Sequence, residues 1–208
     1  MDDNRAAGGR HWVFEEKCVK SEINQQIVIG GVGGQGVLFV TRLLAEAAMQ
    51  NGFSVLTSET HGMAQRGGTV VSHLKVGNYS SPMIRSGQAD GLIALKGEIC
   101  GAFSSLLRSG AWVTVNTASV PAHADGAIVT YLNAEGIAMA SGFPRSVNLV
   151  MLGFSLAVME KAPKEKRICS LADIRSVMET RLRDKPGMLK SSLMALSAGY
   201  DAPPTSPP

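Results

Sequence analysis

Clustered glycines constrain the fold of this chain more than any other sequence feature. Of its 23 glycines, five fall within residues 30–36 and four more within residues 62–77. The first cluster separates a short apolar run, residues 26–30, from residues 37–50, whose apolar side chains recur at helical spacing. Glycines between a buried strand and a helix form a tight turn and let another group approach the backbone closely. The pattern therefore predicts a strand, a glycine loop and a helix.

The rest of the chain repeats this alternation, which predicts the α/β class. We expect a single Rossmann-like domain with an open, doubly wound, mainly parallel sheet over residues 26–200. Residues 1–25 are predicted to be a flexible lead-in. Residues 201–208, of which four are proline, are predicted to be a disordered tail. The predicted strands are 26–30, 53–57, 69–76, 91–95, 111–115 and 127–131, and the predicted helices are 37–50, 98–108, 133–141, 146–160, 171–183 and 187–198.

Composition excludes several classes of function. The 20 Lys and Arg residues against 17 Asp and Glu give a net charge of only +3, so no broad basic face for nucleic acid is expected. Three scattered cysteines, Cys18, Cys100 and Cys169, form no metal-binding motif, and we expect them to be reduced and buried. The longest apolar stretch, residues 147–159, is too short to span a bilayer, and no secretory signal is present. We therefore expect a cytoplasmic protein with no metal, nucleic-acid or membrane site of its own.

The first glycine loop is a candidate anion site. Gly31, Gly33 and Gly36 fit the pattern GxGxxG, and Gly34 and Gln35 add a further glycine and a side-chain amide. The helix that follows offers unpaired N–H groups and a partial positive charge, which favour a phosphate, a pyrophosphate or a carboxylate. No Lys-Ser/Thr pair follows, so the loop is not of the Walker A type. The alternative is a tight strand-to-helix packing with no ligand.

A second polar loop is predicted over residues 58–68. Gly67 and Gly68 allow a sharp turn into the next strand, and we expect this loop to reach the same edge of the sheet as the first, from a neighbouring strand. Arg66 has the shape to bind a carboxylate or phosphate through two hydrogen bonds, and Gln65 can orient such a group. The two loops together therefore predict one shared site.

Glu59 has two possible roles in this loop. It follows Gly36 by 23 residues, close to the spacing of the acidic residue that binds the ribose in NAD- or FAD-binding domains. Alternatively, Arg66 pairs with Glu59 and only orders the loop. An independent NAD(P)- or FAD-dependent dehydrogenase is therefore one hypothesis for the function.

The two loops together resemble a known family. IGGVGGQG at residues 29–36 and SETHGMAQRGGTVVSH at residues 58–73 are similar to the gamma-type subunits of 2-oxoacid:ferredoxin oxidoreductases. Within that family, the chain is most similar to the small beta subunits of indolepyruvate oxidoreductases. Shorter similar stretches lie at 81–84, 87–90, 115–117 and 144–148, so the resemblance covers about residues 26–160.

The resemblance implies a subunit that does not act alone. Such complexes decarboxylate an arylpyruvate oxidatively, with coenzyme A accepting the acyl group and ferredoxin the electrons. The family places thiamine diphosphate, Mg²⁺ and 4Fe-4S clusters in a large partner subunit. This chain would hold none of them, would complete the site around the 2-oxoacid and would contact coenzyme A. A non-catalytic scaffold is the remaining alternative.

The resemblance also implies supporting roles for the loop residues. The glycines of the first loop would offer backbone donors or close approach to an anion. Gln35, Gln65 and Arg66 would orient the substrate, coenzyme A or the partner. Glu59 would be structural or would meet the partner, and no catalytic residue is assigned.

Overall fold

A six-stranded sheet organises the part of the chain that the structure, a computed structural model, describes: residues 23–61, 68–119, 126–161 and 167–205. The predicted lead-in lies almost wholly outside these residues. The strands are β1 (Gln25–Val32), β2 (Val55–His61), β3 (Thr69–Val76), β4 (Ala89–Ala94), β5 (Leu107–Asn116) and β6 (Ile128–Leu132). The helices are α1 (Val37–Gln50), α2 (Gly97–Ala102), α3 (Ala134–Ala140), α4 (Val147–Met159), α5 (Leu171–Arg181) and α6 (Pro186–Tyr200), with one 3₁₀ turn at Ser104–Leu106.

The sheet is open and mostly parallel, in the order β2-β3-β1-β4-β5-β6. β1, β4, β5 and β6 pair in parallel, whereas β3 pairs antiparallel with both β1 and β2. This confirms the predicted fold class. The chain moves outward from β1 through α1 towards β2, and in the other direction from β4 towards β6. The topological switch point, where α/β sheets commonly bind ligands, therefore lies between the carboxyl ends of β1 and β4.

Side chains of the sheet enter two apolar layers. On β1, Ile27 and Ile29 pack with the layer that contains α1, α3, α4, α5 and α6, whereas Val28 packs with the layer around α2. All three side chains are fully buried. A strand that is buried on both faces has consecutive apolar residues instead of alternating apolar and polar ones. The apolar run at residues 26–30 therefore predicts β1.

Two predicted boundaries differ from the structure. The helix predicted over residues 98–108 ends at Ala102, and Leu107 already begins β5. Gly110 lies inside β5 with φ +74°, and its N–H donates to the Gly126 carbonyl at 2.7 Å. β2 continues to His61, so residues 58–61 form strand rather than loop. In both places, pairing with a neighbouring strand overrides the local pattern.

The described part of the tail also differs from the predicted disorder. Asp201 follows α6 directly, with its N–H bonded to the Ser197 carbonyl at 2.9 Å. Thr205 then forms an antiparallel bridge to Tyr131 of β6, whose N–H donates to the Thr205 carbonyl at 2.8 Å. A backbone hydrogen bond to a sheet edge therefore fixes this segment, and residues 206–208 lie outside the described chain.

Helices α4 and α6 cross with their backbones in close approach. A Cβ on Gly199 would lie 1.8 Å from the Val150 carbonyl oxygen, and a Cβ on Gly153 would lie 2.0 Å from the Leu196 carbonyl oxygen. Only glycine fits at either position, since the obstructing atoms belong to backbone. None of the described helices combines the length and the apolar character needed to cross a membrane.

We predict that Gly199→Ala lowers the free energy of unfolding by about 2–3 kcal/mol, because the new methyl group must push the two backbones apart. Gly187→Ala, in the first turn of the same helix, is the matched control, since nothing lies within 4 Å of a Cβ there. Its effect should stay within about 1 kcal/mol and be stabilising. Urea unfolding of both variants measures the difference, and equal stabilities would refute this account of the crossing.

Candidate functional site

The first glycine loop turns the chain from β1 into α1 through two left-handed residues. Gly34 has φ +91° and Gly36 has φ +80°, conformations that L side chains rarely adopt. Among the described residues, no side chain caps α1 and no acidic residue lies in its first turn. The positive end of the α1 dipole therefore remains available to an anion.

The loop glycines serve two different purposes. A Cβ on Gly31 would lie 2.8 Å from the Val37 side chain, and one on Gly36 would lie 2.4 Å from Asn148 Nδ2. Both are needed because the protein's own side chains occupy the space. Gly33 and Gly34, in contrast, are exposed, and a Cβ on Gly34 would meet nothing within 4 Å. Gly33 and Gly34 are therefore the exposed glycines of the loop, although the Gly33 N–H is already donated to the Gly68 carbonyl.

Gln35 braces the loop from within. Its Oε1 accepts the Val32 N–H at 2.9 Å, and its Nε2 donates to the Leu95 carbonyl at 3.4 Å. The second bond joins the end of β1 to the end of β4 across the switch point. The resemblance implies that Gln35 orients a ligand. In this structure its side-chain amide is bonded to the protein's own backbone.

Asn116 extends this bracing to the next strands. Its Nδ2 donates to the same Leu95 carbonyl at 3.1 Å, and its Oδ1 accepts the Ala134 N–H at 3.0 Å. The side chain is buried at the end of β5. Two amides and one carbonyl therefore connect the ends of β1, β4 and β5 to the start of α3.

A backbone hydrogen bond connects the first loop to Gly68, the described residue of the second loop that follows its undescribed part. Gly68 accepts the Gly33 N–H through its carbonyl at 2.9 Å, so the two loops share one edge of the sheet, as predicted. They do not leave neighbouring strands, however, because β3 lies between β1 and β2. Gln65, Arg66 and Gly67 fall outside the described residues, and their roles stay predictions.

Glu59 occupies a position unlike that of a ribose-binding carboxylate. It lies within β2, with an exposed side chain, and pairs with Ser72, which in turn pairs with Ile29. Two strand spacings, roughly 10 Å, therefore separate Glu59 from β1. The dinucleotide hypothesis needs the second parallel strand directly beside the first. Insertion of the antiparallel strand β3 removes that arrangement.

A cavity of about 470 Å³ opens on the α1 side of the glycine loop. Its lining combines the exposed loop glycines with apolar side chains such as Phe39 and Val70 and with two arginines, Arg42 and Arg181. Arg181 is bonded to Glu46, with Nε to Oε2 at 2.6 Å, and this bond lowers the pKa of the Glu46 carboxyl. Arg42 forms no ion pair with a described residue, and no described acidic residue lines this cavity.

A second cavity of about 320 Å³ lies on the switch-point side of the loop. Gln35 and Leu95 form its floor, and Arg145 and Asn148 approach from the start of α4. Glu135 also lines it, so the charge of this cavity is mixed. Gly34 lines both cavities, which places the exposed part of the loop between them.

Several residues at this edge of the sheet were not predicted from the sequence to belong to the site. Arg42 is one of several polar residues of an amphipathic helix and has no distinctive pattern. Asn116 and Arg145 lie in stretches that were noted only because they resemble the family. A polar residue directly after a buried strand run, as at Asn116, is the signal that identifies such a position. No group of three His, Cys, Asp or Glu side chains suited to a metal ion occurs among the described residues.

Comparison with known sequences gives two consistent findings. Residues 26–202 match the family described as pyruvate ferredoxin/flavodoxin oxidoreductase. The chain is also 32% identical over 177 residues to indolepyruvate oxidoreductase subunit IorB of Archaeoglobus fulgidus, which covers 71% of this chain and 88% of the relative.

Comparison with solved structures gives the same fold. The gamma subunit of a keto/oxoacid ferredoxin oxidoreductase from Geobacter sulfurreducens superposes with a TM-score of 0.68 at 23% identity, covering 85% of this chain and 96% of that one. A 2-oxoglutarate:ferredoxin oxidoreductase from Magnetococcus marinus, solved with 2-oxoglutarate, coenzyme A and succinyl-CoA, superposes with a TM-score of 0.69 at 18% identity. That match covers 86% of this chain and 31% of the other.

We predict that Gly36→Ala destabilises the chain by roughly 2–4 kcal/mol, because left-handed strain adds to a collision with Asn148. Gly34→Ala is the control, since it carries the strain without the collision and should cost only about 1–2 kcal/mol. Urea unfolding measures both.

Combining Gly36→Ala with Asn148→Ala separates the two contributions. The pair should lose less stability than the sum of the single variants, because removal of the Asn148 side chain relieves the collision. Additive losses would show that Asn148 does not limit the space at Gly36.

Proposed function

Because this chain belongs to the pyruvate ferredoxin/flavodoxin oxidoreductase family, we propose that it is the small subunit of a 2-oxoacid:ferredoxin oxidoreductase that acts on indolepyruvate or a related arylpyruvate. The resemblance predicted from the paired glycine motifs is confirmed by the family match and by the similarity to IorB. The choice of an arylpyruvate rests on the name of that relative. It remains part of the proposal.

In this proposal, a large partner subunit carries thiamine diphosphate, Mg²⁺ and the 4Fe-4S clusters. With three cysteines in 208 residues, the chain falls short of the four thiolates that bind one such cluster. Thiamine diphosphate would supply the carbanion chemistry of decarboxylation when bound to the partner. The residues of this chain would bind and orient an acyl acceptor and exclude water from the shared site.

The observation that carries the proposal is the pair of joined glycine loops at the switch point. Gly33 and Gly34 present exposed backbone beside the uncapped start of α1, and the bond from Gly33 to Gly68 brings the second loop to the same place. Gln65 and Arg66 would orient the substrate, coenzyme A or the partner subunit. Coenzyme A, with its phosphate groups, is the reactant whose charge suits this edge.

Of the two cavities, the one on the α1 side suits an anion better. Its lining includes Arg42 and Arg181 and no described acidic residue, whereas Glu135 lines the cavity on the other side. Glu46, whose pKa the charge of Arg42 helps to lower, is not among the lining residues. Phe39 and Val70 add apolar surface next to the arginines. We therefore place a phosphate group of coenzyme A near the start of α1, within reach of Arg42.

Reconstitution tests the subunit assignment. The purified chain alone should show no ferredoxin reduction with indolepyruvate and coenzyme A, whereas the complex with its large cluster-bearing subunit should be active. Pyruvate, phenylpyruvate and 2-oxoisovalerate, assayed in parallel, define the substrate class. Turnover by the isolated chain would overturn the assignment.

Arg42→Gln tests the placement of coenzyme A in the complex. The KM for coenzyme A should rise about tenfold or more, because a charge-assisted hydrogen bond is lost, while the KM for the 2-oxoacid stays near its original value. Arg145→Gln, in the cavity of mixed charge, and Arg183→Gln, on an exposed residue after α5, serve as controls. An unchanged KM for coenzyme A would favour a scaffold role for the loop.

A further inference from the structure

A third cavity, of about 450 Å³, lies at the opposite edge of the sheet from the glycine loops. It forms between the end of β3 and the segment that follows it, and Lys75, Tyr79, Ser81 and Arg85 are among its lining residues. Lys75 pairs with Gln26 near the start of β1, which places the cavity at the amino ends of the parallel strands. The function proposed above does not use it.

Lys75 is the unusual group in this cavity. The residue is only 7% exposed, and no described residue forms a hydrogen bond or an ion pair with its ammonium. Among the described residues, the Tyr79 ring contacts this ammonium, with its centroid 5.0 Å from Nζ. The stem of Lys75 is therefore buried, while its ammonium keeps access to the cavity and has no described counter-charge.

The described surroundings add positive charge, and the acidic residue whose charge reaches this cavity, Asp90, is bonded to other groups. Burial, together with the nearby Arg85 guanidinium, lowers the pKa of the Lys75 ammonium. The nearest acidic residue of this region, Asp90, is already engaged: Oδ1 accepts Arg108 Nε at 2.7 Å and Oδ2 accepts the Gln26 N–H at 2.7 Å. No described Asp or Glu lines the cavity.

The wall combines two cationic side chains with hydroxyl and amide groups. Two cationic side chains, the Tyr79 hydroxyl and the hydroxyls of Ser80 and Ser81 face a space without a carboxylate. Burial and the Asp90 charge raise the pKa of Tyr79, so its hydroxyl stays protonated and able to donate. Several donors around two positive charges match a tetrahedral oxyanion better than a neutral ligand.

The segment that closes this cavity is fixed to the sheet. Ile84 is buried and donates its N–H to Nδ1 of His73 at 3.4 Å, two residues before Lys75 on the same face of β3. Ser86 donates its hydroxyl to the Ser105 carbonyl at 2.6 Å. The cavity is therefore a formed feature of the fold.

We infer that this cavity is a phosphate-binding site for a small phosphorylated molecule, with Lys75 and Arg85 as the residues that hold the phosphate. The volume exceeds that of a phosphate group alone, and the Tyr79 ring and Met83 line the remainder. The ligand is therefore a phosphomonoester that carries a further group able to pack on an aromatic ring.

Titration of the full chain with inorganic phosphate, followed by calorimetry and by thermal unfolding, tests the site. Sodium chloride at equal ionic strength corrects for screening, and sodium acetate serves as the carboxylate probe. Phosphate should bind saturably and raise the melting temperature, and acetate should bind at least tenfold more weakly. Absence of saturable phosphate binding, or equal binding of acetate, would overturn the assignment.

Two variants locate the binding. Lys75→Met should weaken phosphate binding at least tenfold and should not lower the melting temperature in phosphate-free buffer, since the Lys75 ammonium has no described hydrogen bond or ion pair to lose. Arg85→Gln, on an exposed residue, should weaken binding as well and keeps the test informative if Lys75→Met does not fold. Lys190→Met, on an exposed residue of α6, is the matched control and should bind phosphate as the parent does. Parental affinity in both Lys75→Met and Arg85→Gln would refute the site.

A final comparison distinguishes a free ligand from a neighbouring subunit. Phosphate binding that persists after assembly with the large subunit supports a small-molecule site. Binding that is lost on assembly, with Lys75→Met weakening the complex, would show that an acidic side chain of the partner fills the cavity, and would overturn the proposal.

Discussion

The carbonyl of Leu95 holds the functional edge of this protein together. It follows β4 and accepts hydrogen bonds from the side-chain amides of Gln35 and Asn116, which come from the ends of the strands on either side. Parallel strands leave their last carbonyls unpaired where the sheet ends, and a buried carbonyl without a donor costs free energy. Here that need is met by one side chain of the glycine loop and one side chain at the end of β5. The position of the glycine loop is thus fixed by the same bonds that complete the sheet.

Much of the fold follows from the sequence for a simple reason. Buried parallel strands and amphipathic helices differ strongly in their apolar patterns, and β1, α1 and β3 lie close to where those patterns place them. Strand order does not follow in this way, because pairing of β3 between β1 and β2 depends on contacts far apart in the chain. That single insertion separates Glu59 from the glycine loop and removes the dinucleotide hypothesis, although the spacing along the chain is right.

The candidate site was predictable in location but not in detail. The motif GVGGQG marks the turn, yet it cannot show which glycines face outward. Gly31 and Gly36 are required by Val37 and Asn148, and Gly33 and Gly34 are the exposed glycines of the loop. Arg42 and Lys75 escaped notice because a single basic residue in a helix or strand has no distinctive pattern. Their importance comes from cavities that exist only after folding.

The bridge between Thr205 and Tyr131 has a consequence for how the sheet ends. β6 is an edge strand, and an unpaired edge can recruit a strand from another molecule and begin aggregation. The segment that covers part of this edge contains Pro203 and Pro204, which have no N–H to donate to a further strand. A short proline-containing segment therefore covers part of this edge without extending the sheet. This keeps the edge from serving as a template for other copies of the chain.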